Sequence, residues 1–193
     1  MSANKQVIGS IYNTEKMFLR IGEHLVTKHF KKSSDYLKRF DLERRSLLRL
    51  KQLDHVPDLV RVVEWDTTLH LSRLPGVSAT SLTAENLIDL EKIVEQMLIA
   101  GVARHSMPIR DVLVDDRGEV SLVDFERSTL RSFRWSPIWL IATKVTRYHF
   151  LKLVEHHQPQ MLTADQCEQL RKAVAIRRYF LVFRKLRDFI RRR

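Results

Sequence analysis

Apolar positions along the chain recur with a period of two in some stretches and near 3.6 in others, and the changes of period divide it into elements. Residues 16–30 alternate, which predicts a hairpin of strands 16–21 and 24–30 joined at Gly22-Glu23. Over residues 34–53, Leu37, Phe40, Leu47 and Leu50 follow a helical period, with Ser33 or Ser34 as the cap. Pro57 closes that region; residues 59–64 and 68–72 read as two more strands, and Pro75-Gly76 marks a turn. A second helix is expected over residues 83–100, with Leu87, Leu90, Ile93, Val94, Met97 and Leu98 facing inward and a capping arrangement from Ser81 to Glu85. Residues 101–126 read as a loop, an apolar strand, an acidic turn closed by Gly118, and a second apolar strand that delivers Asp124 at its end. Helices are then expected over 138–156 and 164–193, with no internal repeat.

Composition narrows the class. At 193 residues and 44% hydrophobic, the chain suits one cored domain or two small lobes sharing an interface. No apolar run approaches the roughly 20 residues of a membrane-spanning helix, and residues 1–9 lack the apolar stretch of a signal peptide. The single cysteine, Cys167, forms no internal disulfide and fits a reducing compartment. The expectation is a cytoplasmic protein, either free or peripheral at the inner membrane.

The net charge of +11 is unevenly placed. Residues 1–128 hold 19 Lys and Arg against 19 Asp and Glu, whereas residues 129–193 hold 15 against 4. From Arg171 to Arg193, ten basic residues accompany an apolar stripe that includes Val174, Phe180, Phe183 and Ile190. Such a segment fits an anionic membrane surface or an acidic partner; it equally fits a final helix that packs its stripe on the domain. Binding to nucleic acid through phosphates is the less favoured reading. His156-His157 lacks further ligands at metal spacing and reads as a helix-end pair, and Trp65, Trp135 and Trp139 read as packing residues.

The segment from Gly101 through Arg104-His105-Ser106 and Asp111 to Asp124-Phe125-Glu126 resembles the catalytic loop and metal-binding hairpin of the protein-kinase-like superfamily, H-R-D-L-x-x-x-N followed by D-F-G. Laid without a gap, Ser106 takes the place of the catalytic Asp, Asp111 that of the metal-binding Asn, and Asp124 that of the Asp in D-F-G. The resemblance covers roughly residues 10 to 130. It implies an α+β, two-lobed protein-kinase-like fold of reduced size, with a β-rich lobe over 1–75, a mostly helical lobe over 76–193, and a helical C-terminal extension. Glu126 in place of the glycine, and the lack of room for a long activation segment, bring the match nearest to small bacterial lipopolysaccharide core kinases (Kdo and heptose kinases) and RIO-like proteins.

By the same resemblance, Lys28 in Leu25-Val26-Thr27-Lys28 stands for the phosphate-contacting strand lysine and Glu43 for the helix glutamate that holds it. On their own segment these two read as a solvated lysine and a helix-face glutamate; the hairpin further along favours the family roles. The Ser72 carbonyl and Leu74 amide would face adenine, while the same residues also read as an ordinary strand ending in a Pro-Gly turn, and Asp111 and Asp124 would ligate Mg2+ bound with ATP. Asp111 also reads as a loop carboxylate capping a neighbouring amide. Ser106 departs most, because an un-ionised hydroxyl does not accept the acceptor's proton, and loss of a general base costs about 10²–10⁴-fold. His105 is either a substitute base or structural. The glycine-rich phosphate loop is reduced to Gly9. An ATP-dependent phosphotransferase acting on a lipopolysaccharide core sugar or a protein, and a pseudokinase serving as a regulatory binding module, both remain open.

Overall fold

The structure, a computed structural model, describes residues 6–8 and 11–174. In chain order its strands are β1 (Gln6–Ile8), β2 (Ile11–Asn13), β3 (Met17–Ile21) and β4 (Leu25–Phe30), followed by helix α1 (Tyr36–Leu50), then β5 (Leu59–Val63), β6 (Thr68–Ser72) and β7 (Val77–Ser78). Helix α2 (Ala84–Ile99) leads to β8 (Val102–Arg104), β9 (Val112–Val114), β10 (Val120–Leu122) and β11 (Ser128–Leu130), and helix α3 (Pro137–His157) follows. Residues 164–174 are helical as well. The chain is thus α+β.

Six strands form one antiparallel sheet in the order β1-β2-β3-β4-β6-β5. The expected hairpin forms with Leu19 opposite Lys28, and Lys28 opposes Leu69 on its other side. A central strand lies between two neighbours, so Val26, Lys28 and Phe30 share one face by the two-residue period, and that face meets α1.

Helix α1 turns Arg39, Phe40, Glu43, Ser46, Leu47 and Leu50 inward. Leu37, expected inside, is exposed; with Leu48, three turns on, it occupies the outward face. Neither Ser33 nor Ser34 caps the helix. Asp35 precedes it in a left-handed conformation without a side-chain cap, and the Ser33 hydroxyl is taken up by the Lys31 carbonyl and Arg39 Nη2.

Helix α2 buries all six residues predicted for its inner face. Its cap is Thr83 rather than Ser81: Thr83 Oγ1 accepts from the Asn86 amide, and Asn86 Oδ1 accepts from the Thr83 amide. Two residues after α2, the expected loop instead begins with the buried strand β8, which pairs with β11. Strands β9 and β10 form the predicted hairpin, with Asp115 Oδ1 accepting from the Arg117 and Glu119 amides at its turn. Three-residue strands such as β8 and β11, and the two-residue β7, are too short for alternation to reveal.

Helix α3 begins one residue earlier than expected, at Pro137, with Ser136 as its cap, and ends at the His156-His157 pair. Trp139 is buried as a packing residue, but Trp65 and Trp135 are exposed, contrary to expectation. One continuous apolar core runs from Phe30 and Leu69 of the sheet through Leu47 of α1 to Leu90 of α2 and Phe150 of α3. No helix among the described residues is long and apolar enough to cross a membrane. The basic segment for which a helix over 164–193 is expected lies mostly in 175–193, outside the described residues.

Gly76 and Gly118 both adopt positive φ, at 91° and 84°, but in different surroundings. An added Cβ at Gly76 would lie 2.5 Å from the Val114 carbonyl, whereas at Gly118 it would meet nothing within 4 Å. Gly118→Ala should therefore cost about 1 kcal/mol, the backbone term alone, and Gly76→Ala about 2 kcal/mol or more, because overpacking adds to it. Urea unfolding of the two variants checks the order; equal losses would deny the close approach at Gly76.

Candidate functional site

Three elements far apart in sequence meet around one ammonium group. Lys28 Nζ donates to Asp124 Oδ1 at 2.7 Å and stands 3.2 Å from Glu43 Oε2. Lys28 is 3% exposed and Glu43 1%. The strand period aims Lys28 at α1, and the helical period places Glu43 on the inward stripe of that helix. Asp124 follows β10 with φ at 70°, a left-handed conformation uncommon outside glycine although tolerated by Asp more than by most residues. Phe125, the next residue, is wholly buried.

The electrostatics are uneven. Burial opposes the charge on Lys28, but Asp124, Glu43 and Glu126 outweigh it and hold the ammonium above its ordinary range. Burial likewise works against the charge on Asp124, and Lys28 and Arg104 overcome it, so this carboxyl stays below its usual range. At Glu43 burial wins over Lys28, and the carboxyl is raised. Glu43 Oε2 makes no hydrogen bond among the described residues despite its ion-pair distance to Lys28. Asp124 is the tighter partner.

Asp111 lies in the turn before β9, and its carboxylate accepts from Arg104 Nη2 at 2.6 Å rather than capping a backbone amide. Burial raises its pKa to about 6, with the charge of Asp124 adding to the rise and Arg104 restraining it. Arg104, itself buried, also donates to the Val123 carbonyl and lies over the Phe125 ring. Arg39 donates to Glu126 at 3.2 Å and thereby ties α1 to the segment that follows β10. Neither arginine was singled out from the sequence. For Arg39 the available signal was its position four residues before Glu43, one turn along the same face.

Ser106 is half-buried, and its hydroxyl has no partner among the described residues. The His105 ring is hydrogen-bonded to Thr129 Oγ1, and burial, helped by Lys38 and Arg127, lowers its pKa. Ser72 ends β6 opposite Leu25, three residues along β4 from Lys28, on the order of 10 Å at strand spacing. Its hydroxyl accepts from the Asp58 amide. The Leu74 amide donates to no described residue.

Because folding raises the Asp111 carboxyl above its ordinary 3.8, the native state holds that proton more tightly than the unfolded chain, and Asp111 costs stability as pH climbs towards about 6. Arg104 limits the cost. Arg104→Leu should destabilise by about 3–5 kcal/mol at pH 8, where it strands a buried carboxylate, and by clearly less at pH 5, where Asp111 can take up a proton. Urea unfolding at both pH values measures this; equal losses would remove Asp111 as the group Arg104 serves.

No protein-family model matches the chain, and no curated protein matches it. Among solved structures the chain is similar to WbdD in its co-crystal structure with the kinase inhibitor LY294002, at a TM-score of 0.56 and 17% sequence identity. The match covers 79% of this chain and 39% of that one, so the chain spans well under half the length of the neighbour. At this identity the likeness concerns the fold alone, and it supports a small kinase-like fold.

Proposed function

We propose that the protein is an ATP-dependent phosphotransferase of the kinase-like fold, acting in the cytoplasm on a lipopolysaccharide core sugar or a protein. The observation that carries this reading is the junction of Lys28 with Glu43 and Asp124, 96 residues beyond Lys28 in sequence, at 3.2 and 2.7 Å. Phosphoryl transfer depends on cations that neutralise phosphate oxygens and on a frame that aims them. Lys28 is the cation and Glu43 the group that orients it. Residues 1–75 and 76–193 are the two lobes of this reading, with the Pro75-Gly76 turn as the connector.

The donor chemistry fits magnesium. Asp111 and Asp124 are hard oxygen ligands; burial, with the charge of Asp124 adding to it, disfavours the ionised form of Asp111, and a divalent cation would offset both. These two carboxylates would hold it, and it would supply charge neutralisation at the phosphates. Among the described residues no third carboxylate, His or Cys joins them in a metal-binding group, so phosphate and water oxygens would complete the shell. The unpartnered Leu74 amide, at the end of the strand beside β4, supports adenine recognition there, with the Ser72 carbonyl beside it.

Ser106 favours a second reading, in which the same fold binds nucleotide or a partner without transfer. An un-ionised, half-buried hydroxyl at the position of the general base supports a regulatory binding module.

Two measurements separate these readings. A thermal-shift titration with ATP and magnesium should stabilise the protein by about 3 kcal/mol at a hundred-fold excess over Kd, a rise of roughly 6–10 °C. Asp124→Asn should abolish most of the rise, and no shift in the parent would remove nucleotide binding from the proposal. With radiolabelled ATP, a parent that transfers label to acceptor or water is an enzyme. If it is inert and Ser106→Asp gains about 10²–10⁴-fold over background, the natural chain is a binding module.

A further inference from the structure

An acid-free stretch of the chain carries an apolar surface that its own core does not cover. From Arg127 to Val154 there are six Lys and Arg and no Asp or Glu. Within it, five large apolar side chains are exposed over nine residues: Phe133 at 60%, Trp135 at 74%, Ile138 at 69%, Leu140 at 48% and Ile141 at 63%.

The exposure is built in. Ser136 Oγ caps α3 by accepting from the Trp139 amide, and Trp139, Ala142 and Thr146 anchor the opposite side of the helix in the core. Helical geometry then turns Pro137, Ile138, Leu140, Ile141 and Lys144 outward together. The helix cannot rotate to hide the aliphatic side chains without expelling Trp139. An ordinary solvated face at these positions would be polar.

The fringe of this surface carries a single sign. Arg134 and Lys144 form no ion pair with a described carboxylate, while Arg147, further along α3, is held by Glu95. The Arg134 guanidinium lies over the Trp135 ring, 5.6 Å from its centroid. Trp65 offers the contrast: it too is exposed, but Glu64 and Asp66 flank it.

We propose that Phe133, Trp135, Ile138 and Ile141, flanked by Arg134 and Lys144, form a docking surface for an anionic phospholipid bilayer. Aromatic side chains with an apolar body and a polar edge settle at the headgroup level, aliphatic ones enter the acyl boundary, and Lys and Arg beside them attract lipid phosphates. That residues 127–154 contribute cations and no acid favours a uniformly anionic partner over a protein surface of mixed sign. The docking surface is separate from the Lys28 site and does not depend on any reaction there.

Co-sedimentation of the full chain with phosphatidylcholine vesicles, with and without phosphatidylglycerol, tests the proposal. The parent should pellet with the anionic vesicles only. The triple variant Trp135→Ser, Ile138→Ser, Ile141→Ser should bind at least about tenfold more weakly, with unchanged circular dichroism. Brominated acyl chains should quench the parent's tryptophan emission, and Trp135→Phe should remove that quench while Trp65→Phe leaves it. A parent indifferent to anionic vesicles would overturn the proposal. So would a triple variant that binds as tightly as the parent, which would transfer the binding to the basic residues after 174, or a quench that survives Trp135→Phe.

Discussion

The buried ammonium of Lys28 is the constraint around which the rest of the chain is arranged. A lysine charge withdrawn from water is tolerated only where opposite charge replaces the lost hydration. Here the replacement comes from α1 and from the segment after β10, so strand, helix and hairpin must arrive together for any of them to be satisfied. Two guanidinium links reinforce the junction: Arg39 to Glu126 from one side and Arg104 to Asp111 from the other. Aromatic rings lie within the same set. Phe30 sits beneath both Lys28 and Arg39, and Phe125 beneath Arg104, so apolar packing and charge pairing fix the same atoms.

Three cations, Lys28, Arg39 and Arg104, face four carboxylates, Glu43, Asp111, Asp124 and Glu126. The surplus negative charge does not spread evenly. Asp124, bonded to Lys28, retains its ionised form readily, while Glu43 and Asp111 are the carboxyls pushed towards protonation. This explains why Asp124 accepts an unfavourable left-handed backbone: the conformation sends Phe125 into the core and leaves the carboxylate facing Lys28. Strain of about 1–3 kcal/mol at one residue is of the size a charge-assisted hydrogen bond offsets.

The sequence made long periodic elements readable and short or polar ones obscure. The inner face of α2 follows from spacing because six apolar residues recur over about three turns. In α1 the same reasoning misplaced Leu37, since the inward stripe there includes Arg39, Glu43 and Ser46, and a hydrophobic pattern has no means of registering a buried salt link. Caps are hard to assign where several capping side chains crowd together, as at Ser33, Ser34 and Asp35, because the choice depends on which of them another group has claimed. The meeting of Lys28 with Asp124 was visible only through resemblance to a known motif; no local rule joins residues 96 positions apart. Trp65 and Trp135 show the reverse failure, in which size and apolarity suggested a core that the fold does not provide.

The uneven charge of the chain follows from where its acids are used. Glu43, Asp111, Asp124 and Glu126 are committed to the junction, and Asp115 to the turn between β9 and β10, so five of the acids before residue 128 hold the site and its hairpin in place. After Glu126 the chain passes at once into β11, which pairs with β8, the strand that carries Arg104 into the site. Arg131, directly after β11, donates to the Ile99 carbonyl, while Arg49 of α1 donates to the Gly101 and Arg131 carbonyls. Six residues separate Glu126 from Phe133, and most are held in this lattice of backbone bonds. The charged junction and the apolar, acid-free surface at the start of α3 are therefore joined by a short, heavily hydrogen-bonded connection. A surface fixed in this way to the site's own framework sets the direction in which that site faces whenever the surface is engaged.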